Sequence, residues 1–118
     1  MAASIEPRFN LNHSWTLGES GWNTGMDDNL LRIGHAGVHL SIIDRDLTAP
    51  PGGPTAGDTY IPAATATGDW ATHEGDVAVW DGSEWLFYVP RTGWLAFVED
   101  EEKISVYKSG AWSAGVAI

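Results

Sequence analysis

The sequence predicts a mainly β protein, a small antiparallel β-hairpin sheet or barrel preceded by an extended arm and one short amphipathic helix. Two observations carry this reading. Seven tryptophans stand among 118 residues, and two of them close loops of the same design. Val79-Trp80-Asp81-Gly82-Ser83-Glu84-Trp85 and Val106-Tyr107-Lys108-Ser109-Gly110-Ala111-Trp112 each set an aromatic residue, a small polar turn containing Gly, and a Trp five positions after the first ring. In a hairpin the residues flanking such a turn face each other, and facing aromatics add roughly 0.2–1 kcal/mol beyond burial. The second observation is spacing: past Asp58, short apolar runs recur about every ten residues between Gly-containing turns, the rhythm of a compact antiparallel fold.

The elements follow in chain order. Residues 1–20 read as an extended arm, because Pro7, Asn10, Asn12 and Gly18 break any period and Phe9, Leu11, Trp15 and Leu17 are too dispersed to form a core. Ser20 is the expected N-cap of a helix in which Trp22, Met26, Leu30 and Ile33 share one face and Asn23, Asp27, Asp28 and Arg32 the other. Gly25 weakens that helix, and Gly34 or Gly37 ends it. Val38, Leu40 and Ile42 alternate with polar residues as in a half-buried strand, stopped by Asp44-Arg45-Asp46. Ala49-Pro50-Pro51-Gly52-Gly53-Pro54 has little capacity for helix or sheet and marks the expected boundary between residues 1–48, an anchoring and oligomerisation segment, and residues 49–118, a β domain. Within the latter, Asp58–Ile61 starts a strand, residues 67–70 turn, residues 76–89 form the first hairpin, and the strands 94–98 and 104–107 flank the acidic run 99–102 before the second hairpin ends at Trp112.

Composition narrows the function classes. Sixteen acidic against six basic residues give a formal charge of −10, which repels phosphate backbones and anionic lipid, so neither nucleic acid nor a membrane surface is an expected partner. The lack of cysteine removes disulfides, thiolate metal sites and thiol nucleophiles. No basic segment followed by an apolar run opens the chain, and no stretch of about eighteen apolar residues occurs, so a soluble protein without a cleavable export signal is expected.

A resemblance joins these readings. Pro50-Pro51-Gly52, Gly57-Asp58 before Tyr60-Ile61, Ala66-Thr67-Gly68 before Trp70, His73-Glu74-Gly75, Ala78-Val79-Trp80, Trp85, Pro90-Arg91, Gly93-Trp94, Val98 with its acidic run, Val106-Tyr107 and Gly110-Ala111-Trp112 occur in an order that resembles the DUF2793 domain over residues 50–115. That family is found in proteins of tailed phages and of phage-derived gene transfer agents. The stretch Leu11–Ile33 resembles the lead-in such proteins carry, a Trp-Asn pair opening a short helix of the Met-Asp-Asp-Asn-Leu type. The resemblance implies a structural virion appendage assembled in the host cytoplasm, most often a tail fibre or tail tip component, with a head spike or capsid decoration as the alternative. It implies other virion proteins as partners and brings no catalytic residues or cofactor, so no enzyme is expected. A homotrimer is the expected state by analogy with fibres.

Candidate sites follow from chemistry. Aromatic faces stack on the apolar faces of sugar rings, which makes host cell-surface polysaccharide an expected partner of the set Trp70, Trp80, Trp85, Tyr88, Trp94, Tyr107 and Trp112, unless these rings serve as core or subunit interface. Trp70 and Trp94 each follow a Thr-Gly turn, and with Arg91 as a polar contact they are the expected glycan-binding residues. Trp15, Trp22, Met26, Leu30 and Ile33 are the expected anchoring or oligomer interface, since a lone helix of about fourteen residues is marginal in water. A free carbohydrate-binding module and a small hydrolase are the rival classes. His35 and His39 have a helical metal spacing that Gly34 and Gly37 disrupt, and His73-Glu74 point to opposite faces if extended; Glu99-Asp100-Glu101-Glu102 lacks the alternation and Gly of a calcium loop and reads as a solvated turn. No metal site is assigned.

Overall fold

The computed structural model describes residues 4–118, which divide into two compact units, one ending at Val38 and the other running His39–Ile118. No helix among the described residues is long and apolar enough to cross a membrane.

In the first unit, β1 (Ser4–Ile5) pairs antiparallel with β2 (Asn12–His13). The Glu6 carboxylate closes the loop between them by accepting the N–H groups of Arg8, Phe9 and Leu11 at 3.0, 2.6 and 3.1 Å. These backbone donors, Leu11 foremost, hold Glu6 below the ordinary glutamate range. Helix α1 spans Trp22–Arg32 and continues into a wide turn, Ile33–Gly37, so the chain stays coiled to the second of the two expected stop glycines. Ser20 does not cap it. The N-cap is Gly21, in the left-handed region at φ 81°, with no side-chain cap bond.

The buried side of α1 centres on Asn29. Asn29 accepts from the Asn12 backbone N–H at 2.6 Å and from Asn12 Nδ2 at 3.1 Å, and donates through Nδ2 to the Asn12 carbonyl at 2.9 Å. Its side chain thus pairs with the arm as a neighbouring strand would. Gly25 is the enabling residue: a Cβ there would stand 2.9 Å from Cζ2 of Trp15, so only glycine lets that indole lie on the helix. The expected apolar face lies largely outward, with Trp22, Leu30 and Ile33 51%, 60% and 36% exposed and Met26 half-buried.

In the second unit, β4 (Thr59–Tyr60), β5 (Val77–Trp80) and β6 (Trp85–Tyr88) form an antiparallel sheet in that order. A second sheet orders β10 (Val116–Ala117), β8 (Lys103–Lys108), β7 (Leu95–Val98) and β3 (Ser41–Ile42), with β9 (Ala111–Trp112) also pairing β8. Neither closes into a barrel. Both expected hairpins form, with Trp80 opposite Trp85 and Tyr107 opposite Trp112 and ring centroids 5.2 and 5.3 Å apart.

The strand expected at Val38–Ile42 is shorter, Ser41–Ile42, and pairs parallel with β7, opposite Phe97 and Val98. The chain then crosses to the other sheet, where Ile43 N–H donates to Thr59 and the Asp44 carbonyl accepts from Ile61. Residues 39–48 therefore pack with the β unit. Ala63 N–H to Leu47 and Thr67 N–H to Thr48, at 2.9 and 2.7 Å, tie this segment further, and Pro50 lies against Gly68, so the Pro-Gly stretch is a loop inside the second unit.

The core has an aromatic centre. Tyr60, Trp70 and Trp85 meet with centroids 5.3–6.0 Å apart in tilted and edge-on contacts, over Ala78 and flanked by Ile43, Leu47 and Phe87. Burying one such ring removes about 150–250 Å² from water, roughly 4–6 kcal/mol before entropy. Ile42, Val77, Val79 and Val98 complete the interior. Beside it, the Arg45 guanidinium enters the kink between β9 and β10, donating to the carbonyls of Ser113 and Ala114 at 2.7 and 2.8 Å, to Ser105 Oγ at 3.2 Å, and in a fork to both Glu101 oxygens at 3.0 and 2.8 Å.

Candidate functional site

The expected sugar-stacking residues separate in the structure. Trp70 sits in a 3-10 turn, Gly68–Trp70, and is 0% exposed, with Tyr60 and Trp85 against its ring. The Thr-Gly turn before it directs the indole inward, so Trp70 is a core residue and its faces are not available to a sugar. Trp94 is half-buried and Arg91 exposed, joined by a turn in which Trp94 N–H donates to the Arg91 carbonyl.

Trp94 has aromatic company. The Tyr107 carbonyl accepts from Gly93 N–H at 2.8 Å while Tyr107 N–H donates to the Trp94 carbonyl at 2.9 Å, a bulge in which two residues oppose one. Tyr107 in turn faces Trp112. Trp94, Tyr107 and Trp112 therefore form a row across three adjacent strands, all half-buried. The Trp112 indole N–H donates to the Gly75 carbonyl at 2.8 Å, which fixes that ring. Oriented, partly accessible rings of this kind can stack on a flat apolar face such as that of a sugar.

The remaining polar clusters have structural employment. His73 pairs with Asp76 at 3.0 Å, not with Glu74, and stacks on Phe87 with centroids 3.6 Å apart; Glu74 accepts the Ala66 N–H. Burial pushes Asp76 above the ordinary aspartate range, with the His73 hydrogen bond opposing. His35 lies in the wide turn after α1, and His39 opens the other unit. The acidic run is not simply a solvated turn, since Arg45 takes Glu101 and Ser41 Oγ donates to Glu99 at 2.8 Å.

One grouping escapes sequence spacing. Asp44, Asp46 and Asp100 bring carboxylate oxygens within 4.8 Å of one another, enough for a hard cation, although exposed acidic groups of this kind are common without one. Burial, then Asp44, Glu101 and Asp46, push Asp100 above its ordinary range. The alternate aspartates of Asp44-Arg45-Asp46 were the visible half of the signal; the parallel β3–β7 pairing delivers the other half.

The residues expected to form an anchoring interface remain together. Trp22, Met26, Leu30 and Ile33 make a stripe along α1, and at its head Trp15, Thr16, Gly18, Glu19 and Trp22 line an open pocket of about 320 Å³.

The family pattern whose description reads protein of unknown function (DUF2793) matches residues 26–113. The chain belongs to the DUF2793 family. The match begins earlier than the resemblance over 50–115, inside α1, and so takes in Met26, Leu30 and Ile33 as well as the aromatic row through Trp112. No curated protein matches the chain. In this DUF2793 protein the matched stretch runs across both units, whereas Trp15 and Trp22 precede it.

Proposed function

We propose that this DUF2793 protein is a structural appendage component of a phage or phage-like particle, a tail fibre or tail tip piece, in which the first unit joins copies to one another and to neighbouring virion proteins while the second is displayed. The observation that carries the reading is the outward stripe of α1. A helix that buries Asn29 against the arm yet leaves Trp22, Leu30 and Ile33 exposed has an apolar surface of the kind that marks an interaction site. Charge supports the same division of labour: residues 39–118 contain twelve acidic and four basic residues, residues 1–38 four and two. Copies brought together through the first unit repel least there, and the strongly acidic second unit keeps the display soluble.

The displayed unit adsorbs to host glycan through Trp94 and Arg91, with Tyr107 and Trp112 extending the surface. The half-buried aromatic row favours this use. Light scattering on the full chain tests the assembly: the expected mass is a multiple of the chain mass, three copies by analogy with fibres, and Leu30→Glu combined with Ile33→Glu lowers it without changing the β signal. A wild-type chain that runs as a strict monomer at all concentrations overturns the joining role.

A further inference from the structure

The second unit has an apolar surface of its own, on the outer face of the β10-β8-β7-β3 sheet. Along β7, Ala96 and Val98 point inward while Leu95 and Phe97 point out; along β8, Ser105 is buried while Ile104 and Val106 stand on the outer side. Register puts Leu95 opposite Val106, Phe97 opposite Ile104, and Val116 of β10 on the other flank of Ile104. The sheet is thus apolar on both sides: Ala96, Val98 and Ile42 lie inside together with Ser105, and a continuous apolar block stands outside, where an antiparallel sheet is commonly polar. Leu95, Phe97, Ile104 and Val116 are 36–71% exposed, together roughly 400 Å², about half of what one partner brings to a standard interface and on the scale that marks an interaction site.

The charges at the two ends of this block identify what covers it. Glu99 extends the outward side of β7 and is held there by Ser41, also outward and exposed. Lys108 ends β8 on the same side, at the opposite end of the block, separated from Glu99 by about six strand positions, on the order of 20 Å. A face with an apolar centre, an acid at one end and a base at the other is complementary to itself when rotated end over end. We infer that this sheet face is a two-fold contact between two copies of the chain, the rotation axis lying in the contact plane and perpendicular to the strands. That operation sets each Glu99 over Lys108 of the other copy, twice, and stacks the Phe97 and Ile104 pair of each copy on the Leu95 and Val106 pair of the other. A two-fold axis along the strands would instead oppose Glu99 to Glu99. The contact is separate from the helix stripe, so an assembly that uses both has two joints per copy.

Sedimentation equilibrium on the full chain carrying Leu30→Glu and Ile33→Glu tests this contact without the helix stripe. The expected result is a reversible dimer. Glu99→Lys raises its dissociation constant about tenfold, because the two-fold counts each lost rim pair twice. Adding Lys108→Glu to Glu99→Lys restores dimerisation, since reversing both ends keeps the match. Phe97→Lys abolishes it with an unchanged circular dichroism spectrum. A chain that stays monomeric up to about millimolar concentration, or a double charge swap no better than the single, overturns the inference, whichever way the helix-stripe experiment turns out.

Discussion

In residues 39–118 the largest rings are packed against one another, with Trp70 fully buried among Tyr60, Trp85 and Ala78, and the polar groups inside are matched to specific partners such as Arg45 with Glu101. In residues 4–38 the helix buries Asn29 and turns Trp22 and Leu30 outward. Both segments contain tryptophan, short strands and glycine, but they use their apolar side chains in opposite ways. The second unit supplies its own driving force for folding. The first is aligned by directed hydrogen bonds, each worth a net of only about 1 kcal/mol, and leaves much of its apolar stripe exposed. Composition does not separate the two strategies; the direction in which each indole points does.

The sharpest way to break this comparison is at Trp70. Trp70→Ala is expected to cost about 3–5 kcal/mol, because the rigid rings around it cannot collapse into the space. Urea denaturation followed by circular dichroism measures it, and a loss below 1 kcal/mol would mean the second unit does not depend on its aromatic centre. Trp70→Phe should cost much less, since the buried indole N–H finds no acceptor among the described residues and its removal relieves a penalty of about 1–3 kcal/mol.

Arg45 comes next. Arg45→Met removes the donor to Glu101 and to the Ala114 carbonyl, while the Ser113 carbonyl keeps Ser105 Oγ, an expected loss of about 2–3 kcal/mol, below the fully buried range because both side chains retain some exposure. The same variant alters the acid limb. The Arg45 hydrogen bond holds Glu101 below the ordinary glutamate range, so its contribution is fully present above the unfolded value and is lost as pH falls through the lower folded one. Unfolding midpoints measured against pH should therefore fall less steeply below the ordinary glutamate range in Arg45→Met than in the wild type.

The smallest effect sharpens the comparison from the other side. Asn29→Ala removes three hydrogen bonds to Asn12 and is expected to cost about 1–3 kcal/mol, confined to the first unit. Hydrogen exchange should show the Asn12 amide losing protection while those of β5 and β8 keep theirs. Loss of protection in both would mean that the units do not fold separately.

Much of the second unit was legible in the sequence. The two aromatic-flanked turns predict hairpins because a short turn forces its flanking residues to face each other, a local constraint that needs no knowledge of the remaining chain. The helix was legible for the same reason, from i, i+4 spacing, but its orientation was not. Periodicity says that Trp22, Met26, Leu30 and Ile33 share a face; it does not say that Asn12 will arrive to claim Asn29 at the edge of that face and leave most of the stripe exposed. Trp70 and Trp94 show the limit most plainly, since both follow a Thr-Gly pair and one is sealed in the core while the other reaches the surface.

The sequence by itself determined the mainly β class, the hairpin partners and the apolar helix stripe, all of which rest on contacts between residues near in the chain. Only the tertiary structure decided the parallel β3–β7 pairing, the meeting of Asp44 and Asp46 with Asp100, the seat of Arg45 in the β9–β10 kink, and which tryptophans are core. The first three depend on segments more than fifty residues apart, and all four on the packing of whole sheets, which leaves no periodic mark in the residues themselves.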